Sequence, residues 1–195
     1  MQTSSFSIRH DPVTTELSLL VGHTAEFATP MLAACRLLLD VVFDDMTDHD
    51  WEHSLGGLHA VAIHGNRVVG HASVIQRRVI HQGRAWRAGY VEGVGVHPRW
   101  QRCGIGSRLM APLERIITAA YDLGALGATD EARTMYEHHD WKLWGGPTSA
   151  LTPSGITPTP DEDDCIYVLP ASGAFAQVVD FTGELTCDWR DGDVW

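Results

Sequence analysis

A chain of 195 residues is long enough for one ordinary domain with a sizeable core and short for two. With 44% hydrophobic and 20% charged residues it sits near the globular average, which excludes a disordered or fibrous class. Its 25 Asp and Glu against 14 Lys and Arg, a net charge of -11, argue against nucleic acid or an anionic membrane surface as partner and leave a cationic ligand open, depending on where the carboxylates gather.

Residues 1–14, with Thr3, Ser4, Ser5, Asp11 and Pro12, keep no period and are expected to form a flexible N-terminal extension to a single domain over residues 15–195. Residues 16–22 read as a first strand. Thr29-Pro30 opens a helix whose apolar Met31, Leu32, Ala34, Cys35, Leu38, Leu39 and Val42 recur at helical spacing. A second helix starts within the acidic stretch 44–53, capped by Thr47 or Asp48. His49 and His53 stand one turn apart on it, but no third ligand accompanies them, and they read as a solvated face with no metal. Strands over 58–63, 68–79 and 85–96, joined by turns at His64-Gly65-Asn66 and Gln82-Gly83, form an antiparallel meander.

The meander runs into the most informative stretch, residues 90–109. Tyr90-Val91-Glu92-Gly93-Val94-Gly95-Val96 alternates as a buried strand does, and Pro98 cannot donate to a continuing ladder, so the strand stops near His97. Gln101-Arg102-Cys103-Gly104-Ile105-Gly106 then opens a helix running to about Asp122. Gly104 and Gly106 let a ligand approach the backbone, and the free N–H groups of a first helical turn, with the positive end of its dipole, make an anion site that Arg99, Arg102 and Arg108 reinforce. A pyrophosphate is the natural occupant. The spacing is neither Gly-x-Gly-x-x-Gly nor Gly-Lys-Ser/Thr, which argues against a dinucleotide fold and a P-loop.

Residues 125–128 read as a buried parallel strand beside the 90–96 strand. A helix over 131–138, capped by Thr129 or Asp130, and a strand over 141–144 follow. Residues 152–160 are expected to be a proline-rich loop, residues 161–164 an acid run, and residues 165–169 a strand. The pattern amounts to an α+β fold in three layers, a central mixed but mostly antiparallel sheet flanked by helices. Four cysteines without Cys-x-x-Cys spacing read as reduced thiols, the apolar run 31–43 is broken by Arg36 and Asp40, and no secretion signal opens the chain; a cytoplasmic location is expected.

Gln/Arg-x-x-Gly-x-Gly after a strand ending in Val-x-Val resembles the acetyl-coenzyme A (acetyl-CoA) signature of the GCN5-related N-acetyltransferase (GNAT) superfamily. Residues 50–59, 74–78, 89–92, 120–126 and, most specifically, the tail Cys187-Asp188-Trp189-Arg190-Asp191-Gly192-Asp193-Val194-Trp195 narrow the resemblance to the aminoglycoside 2'-N-acetyltransferases. It implies the GNAT fold, acetyl-CoA as cosubstrate without a metal, a cationic aminoglycoside as acceptor, and pairing as a homodimer. Position by position, it implies that Val94, Gly95, Val96, Gln101, Arg102, Cys103, Gly104, Ile105 and Gly106 hold the coenzyme. Asp45, Glu92, Gly93, Gly127, Asp161, Glu162, Asp193 and Trp195 would line the drug site, with Asp50 a further candidate of the same charge.

Acyl transfer from a thioester to an amine needs a base, a polarised carbonyl and a proton for the leaving thiolate. Glu92, on the strand just before the anion site, is the candidate base; a structural ion pair with Arg84 or Arg87 is the alternative reading of a carboxylate in so apolar a strand. The Val94 N–H is the candidate for the carbonyl. The resemblance places Tyr136 near the coenzyme sulfur as general acid. One departure is Gly127, where the family usually has a serine. A cell-wall amino sugar or other polyamine as acceptor, and a non-catalytic acyl-CoA- or drug-binding module, remain open.

Overall fold

A computed structural model describes residues 16–195 of the chain, so the expected extension at residues 1–14 lies outside the described residues. Strand β1 (Leu17–His23) pairs antiparallel with β2 (Leu58–His64), which pairs antiparallel with the first half of the fifteen-residue β3 (Arg67–His81). β4 (Arg84–Val96) returns along the other edge of β3 after a tight turn at Gln82-Gly83. The expected meander is therefore present, with β3 and β4 longer at their ends than the alternation indicated.

Between β1 and β2, α1 (Thr29–Val42) buries Cys35, Leu38 and Leu39 and packs on β3 and β4. The short α2 (Asp48–His53) follows. The Thr47 hydroxyl accepts the Asp50 N–H at 3.3 Å, and the Asp50 carboxylate accepts the Thr47 N–H at 2.8 Å, a reciprocal cap that satisfies two otherwise orphan donors.

On the opposite face lies α3 (Ile105–Ala120). Its Ile105, Leu109, Met110, Leu113 and Ile117 join Ala60, Ala62, Val69, Ala72, Val74 and Val91 in one core cluster, each large side chain worth about 1.5–3 kcal/mol when fully buried. α3 serves as the crossover to β5 (Leu123–Gly127), which runs parallel to β4. Then come α4 (Arg133–His138), β6 (Lys142–Leu143), the hairpin β7 (Thr148–Thr152) and β8 (Gly155–Pro158), β9 (Ile166–Pro170), the four-residue α5 (Gly173–Ala176) and β10 (Leu185–Asp188). The main path of the sheet is β6-β9-β5-β4-β3-β10-β7-β8, with β2 and β1 on the same side of β3 as β10. Among the described strands only the pairs β4–β5 and β7–β10 are parallel.

Three details differ from the sequence reading. Residues 152–160 are not one loop: β8 is a strand whose inner edge pairs with β7, its single Pro158 is tolerated because its other edge is free, and Pro153 and Pro160 lie in the turns on either side. α4 starts at Arg133 with no side-chain cap, and Asp130 instead forms an ion pair with Arg133 at 2.8 Å. β5 begins two residues earlier than expected, because Leu123 and Gly124 are drawn into the ladder with β4 and β9. Among the described residues no helix is long and apolar enough to cross a membrane.

Candidate active site

The ladder between β4 and β5 has only three rungs and ends at Tyr90 opposite Ala125. β5 remains paired with β9 as far as Gly127, so beyond Tyr90 the edge of β4 is left open. A crevice of about 300 Å³ occupies the parting, lined by Tyr90 to Val94, Gly127 to Thr129, Tyr136, Glu162, Cys165, Asp193 and Trp195 among others. A bulge contributes to it. Ser73 pairs with Glu92 and His71 with Gly95, so Gly93 and Val94 together face Ala72 alone. Gly93 takes a φ of +56°, where a Cβ is strained. The extra residue shifts the parity of the strand: Val91 and Val94 both pack toward α3, while Gly93 and Gly95 face Leu39 of α1.

From Val96 the backbone passes through a single 3-10 turn at Pro98–Trp100 and enters α3 through Arg102 and Gly104, at φ 59° and 75°. No side chain caps α3. Its first-turn N–H groups are therefore available to an anion, with the helix dipole behind them. A Cβ at Gly104 would meet nothing within 4 Å, which leaves room for a ligand there, whereas one at Gly106 would lie 2.6 Å from the Met135 sulfur and would oblige that side chain to move.

A second cleft of about 460 Å³ adjoins the first and shares Phe43, Glu92, Gly93, Asp193 and Trp195 with it. Asp45, Asp50, His49, His53 and Arg190 complete much of its wall. The two clefts meet at Glu92. Its side chain retains only 13% of its exposure, and burial pushes its carboxyl up to about 7, against the opposing pull of Arg190 and with a smaller push from Asp193. Arg190 is its ion-pair partner through Nη1. Arg190 also donates to main-chain oxygens of the tail, from Nε to Asp193 O at 2.7 Å and from Nη2 to Trp195 O at 2.8 Å. The Trp195 indole, 4% exposed, donates to the Thr159 hydroxyl at 2.9 Å.

A second buried arginine braces the same tail. Arg77, 4% exposed, donates to the Asp188 carboxylate at 2.8 Å and, through Nη2, to the carbonyls of Asp188 and Val194. Both guanidiniums also lie against the Tyr90 ring, 4.8 Å and 5.4 Å from its centroid. The Tyr90 hydroxyl is buried without a hydrogen-bond partner among the described residues, and burial raises it well above the ordinary tyrosine range.

A profile of the acetyltransferase (GNAT) family matches residues 30–141. The chain belongs to that family. It is 45% identical over 162 residues to an aminoglycoside 2'-N-acetyltransferase of Mycolicibacterium fortuitum, an overlap that spans 83% of each chain. Among solved structures, it superposes on a GNAT family N-acetyltransferase from Escherichia coli, determined in complex with CoA, at a TM-score of 0.62 and 14% identity, covering 91% of this chain and 93% of that one. A GCN5-related N-acetyltransferase from Kribbella flavida gives a TM-score of 0.55 at 22% identity, covering 71% of this chain and 36% of that one. The last two likenesses concern the fold, an α+β GNAT sheet with helices on both faces.

In this GNAT chain the residues expected from sequence are distributed unevenly. Glu92, Gly93, Val94, Gly127, Tyr136, Glu162, Asp193 and Trp195 line the split-strand crevice. Asp45 and Asp50 line the acid cleft, although the Asp50 carboxylate also closes the α2 cap. Gly95, Val96 and residues 101–106 lie outside both linings, along the path to the start of α3, and Asp161 lies outside them beside Glu162. Neither expected arginine meets Glu92. Arg84 stacks on Trp86 at 3.9 Å and Arg87 pairs with Asp122 at 3.5 Å, because both sit at the far end of β4. The actual partner, Arg190, is 98 residues away along the chain. Its only sequence signal was a buried acid in want of a cation. His53, on the α2 face, meets the Asp191 carbonyl at 2.7 Å.

Proposed function

We propose that the protein acetylates the 2'-amine of aminoglycosides with acetyl-CoA. The observation that carries this reading is the meeting of a strand-parting crevice with an acid-walled cleft at one buried carboxylate, Glu92. The 45% identity to a protein named for that activity supports it. The backbone suits the coenzyme: an uncapped helix start and open space over Gly104 fit a pyrophosphate, and the crevice along the open edge of β4 fits the pantetheine arm, with its amides. The free cysteines fit a reducing compartment, so the reading includes a cytoplasmic location, and with it a homodimeric assembly as the resemblance implies.

When bound, acetyl-CoA supplies an acetyl group activated as a thioester. The first-turn N–H groups of α3 hold its pyrophosphate, and the Val94 N–H donates to the carbonyl oxygen that gains charge as the amine attacks. Asp45, Asp50, Glu162 and Asp193 draw the other ammonium groups of the drug, leaving one amine facing the crevice. Glu92 takes a proton from that amine, directly or through one water. A carboxyl tuned to about 7 is matched to this task near neutrality. The N–C bond forms, the C–S bond breaks, and Tyr136, kept protonated by burial, returns a proton to sulfur.

Thiol release with a panel of drugs tests the assignment. Tobramycin and the gentamicin C components carry a 2'-amine and should turn over, whereas kanamycin A, with a 2'-hydroxyl, should inhibit competitively and release at most a trace. Comparable turnover of kanamycin A, or an acetyl group placed by mass spectrometry on another ring, would refute the regiochemistry.

A further inference from the structure

Two histidines with no part in proton transfer lie beside the site, fully buried. His59 of β2 stands opposite Ser73, and His71 of β3 opposite Val61, so the two are diagonal neighbours on one face of the pair. Nδ1 of His59 is 2.9 Å from Nε2 of His71, and Nδ1 of His71 is 2.8 Å from the carbonyl oxygen of Gly93. At the other end, Nε2 of His59 is 2.7 Å from the Thr24 hydroxyl, which accepts the Gly56 N–H at 2.8 Å. The rings of Phe27 and Trp51 close over the pair.

Buried polar groups must be matched, and one direction of donation matches all of these. The Gly93 carbonyl can only accept, so Nδ1 of His71 carries its proton and Nε2 is bare. His59 donates from Nδ1 to that nitrogen, and its own bare Nε2 accepts from Thr24. The one hydroxyl proton of Thr24 takes this 2.7 Å contact over the Gly57 carbonyl at 3.2 Å, an oxygen that already accepts the Thr24 N–H at 2.9 Å. Burial lowers both imidazoles to about 4, which keeps them neutral near pH 7.

The carbonyl at the end of this chain belongs to the bulge. In a planar trans peptide the Gly93 C=O and the Val94 N–H point in opposite directions. A carbonyl held toward β3 by His71 therefore turns the Val94 N–H toward the open edge of β4, where the crevice lies. We propose that the hydrogen-bonded chain from Thr24 through His59 and His71 to Gly93 is a positioning device that fixes the plane of the Gly93–Val94 peptide and aims its N–H at the thioester carbonyl. The proposal rests on the acetyl-transfer reading above. His59 and His71 are positioning residues and touch no substrate.

His71→Leu removes the donor to Gly93, while His71→Asn offers an amide N–H near the position of Nδ1. With a 2'-amine drug and acetyl-CoA, the Leu variant should lose about 10–100-fold in kcat while the KM for acetyl-CoA changes less than about threefold, and Asn should restore most of the loss. A folded Leu variant with wild-type kcat, or a loss confined to KM, overturns the proposal. A second measurement needs no variant: nitrogen NMR of the wild-type histidines should show both rings neutral with the proton on Nδ1. An Nε2–H tautomer at His71 overturns the proposal even if the Leu variant does not fold. If none of the drugs makes the wild-type protein release thiol, the acetyl-transfer reading fails by itself. The tautomers, and a Val94 amide resonance that shifts on adding acetyl-CoA in the wild type but not in the Leu variant, then still decide whether the chain aims that N–H.

Discussion

The two halves of the site are built in opposite ways. In the function proposed above, the coenzyme half is one continuous stretch, from the bulge of β4 to the first turn of α3, and would work mainly through backbone groups. The acceptor half is assembled from side chains on α2 and its approach, β4, the turn at Pro160–Glu162 and the tail after β10, segments that meet only when the sheet is complete. Backbone donors depend on conformation, so their half tolerates many side chains but few changes at positive φ. The acid cleft depends on charge balance, so one distant residue can retune it.

The largest break should come from the carboxylate at the junction. Glu92→Gln is expected to lower kcat by about 10²–10⁴-fold, the usual range for a general base, and to abolish the limb of the pH–rate profile near pH 7. A persistent limb would place the base elsewhere, with Asp45 next in line.

Arg190→Gln should come second, and its sign follows from the ion pair. Arg190 holds the Glu92 carboxyl down against burial; without it the pKa rises further, and less base is ionised at a given pH. The acidic limb is expected to move to the alkaline side, each pH unit of displacement costing about fivefold or more at pH 7, a loss recovered as pH rises. A uniform loss at every pH would assign Arg190 to bracing the tail alone.

Gly104→Val sharpens the contrast from the other side. A branched residue at φ +75° strains the turn and fills the space over the helix start, so the KM for acetyl-CoA should rise about tenfold or more while that for the drug stays within about twofold. Equal changes in both constants would mean that the halves are not separate.

Gly127→Ser is the smallest. A Cβ there would lie 3.9 Å from the Tyr90 hydroxyl, and a serine hydroxyl would reach that unpartnered group. The added hydrogen bond is expected to contribute about 0.5–1.5 kcal/mol and to raise the thermal midpoint by about 1–6 °C, with drug KM changed only a few-fold. An unchanged or lower midpoint would show that Tyr90 is satisfied in another way.

How far each half could be read from sequence follows the same division. The strand, stop and helix start proposed to hold the coenzyme were legible because their determinants are adjacent: Val94, Pro98, Gly104 and Gly106 lie within a few residues of one another. The meander was legible for a similar reason, since its turns lie between alternating runs. Glu92 was legible as a buried charge but its partner was not, because the pairing of β4 with the tail depends on β10 seating itself beside β3. The β7–β8 hairpin was hidden by its prolines, which signal a loop unless the free edge of the sheet is known. The histidine pair was hidden because it depends on the diagonal register of β2 against β3.

The short ladder between β4 and β5 has a mechanical consequence. Two parts of one sheet share a ladder of only three rungs and are held elsewhere by the α3 crossover, a common buried core and side-chain bonds such as Arg87 to Asp122, so the parting beyond Tyr90 is a local line of weakness. Whatever fills the crevice replaces the missing rungs with its own contacts and stiffens both parts at once. A coenzyme present at a hundred times its dissociation constant would contribute about 2.7 kcal/mol to global stability by mass action alone. The protein should therefore melt lower and exchange its amide hydrogens faster along this line when empty than when loaded, with the greatest protection gained in β4 beyond Tyr90 and in β5.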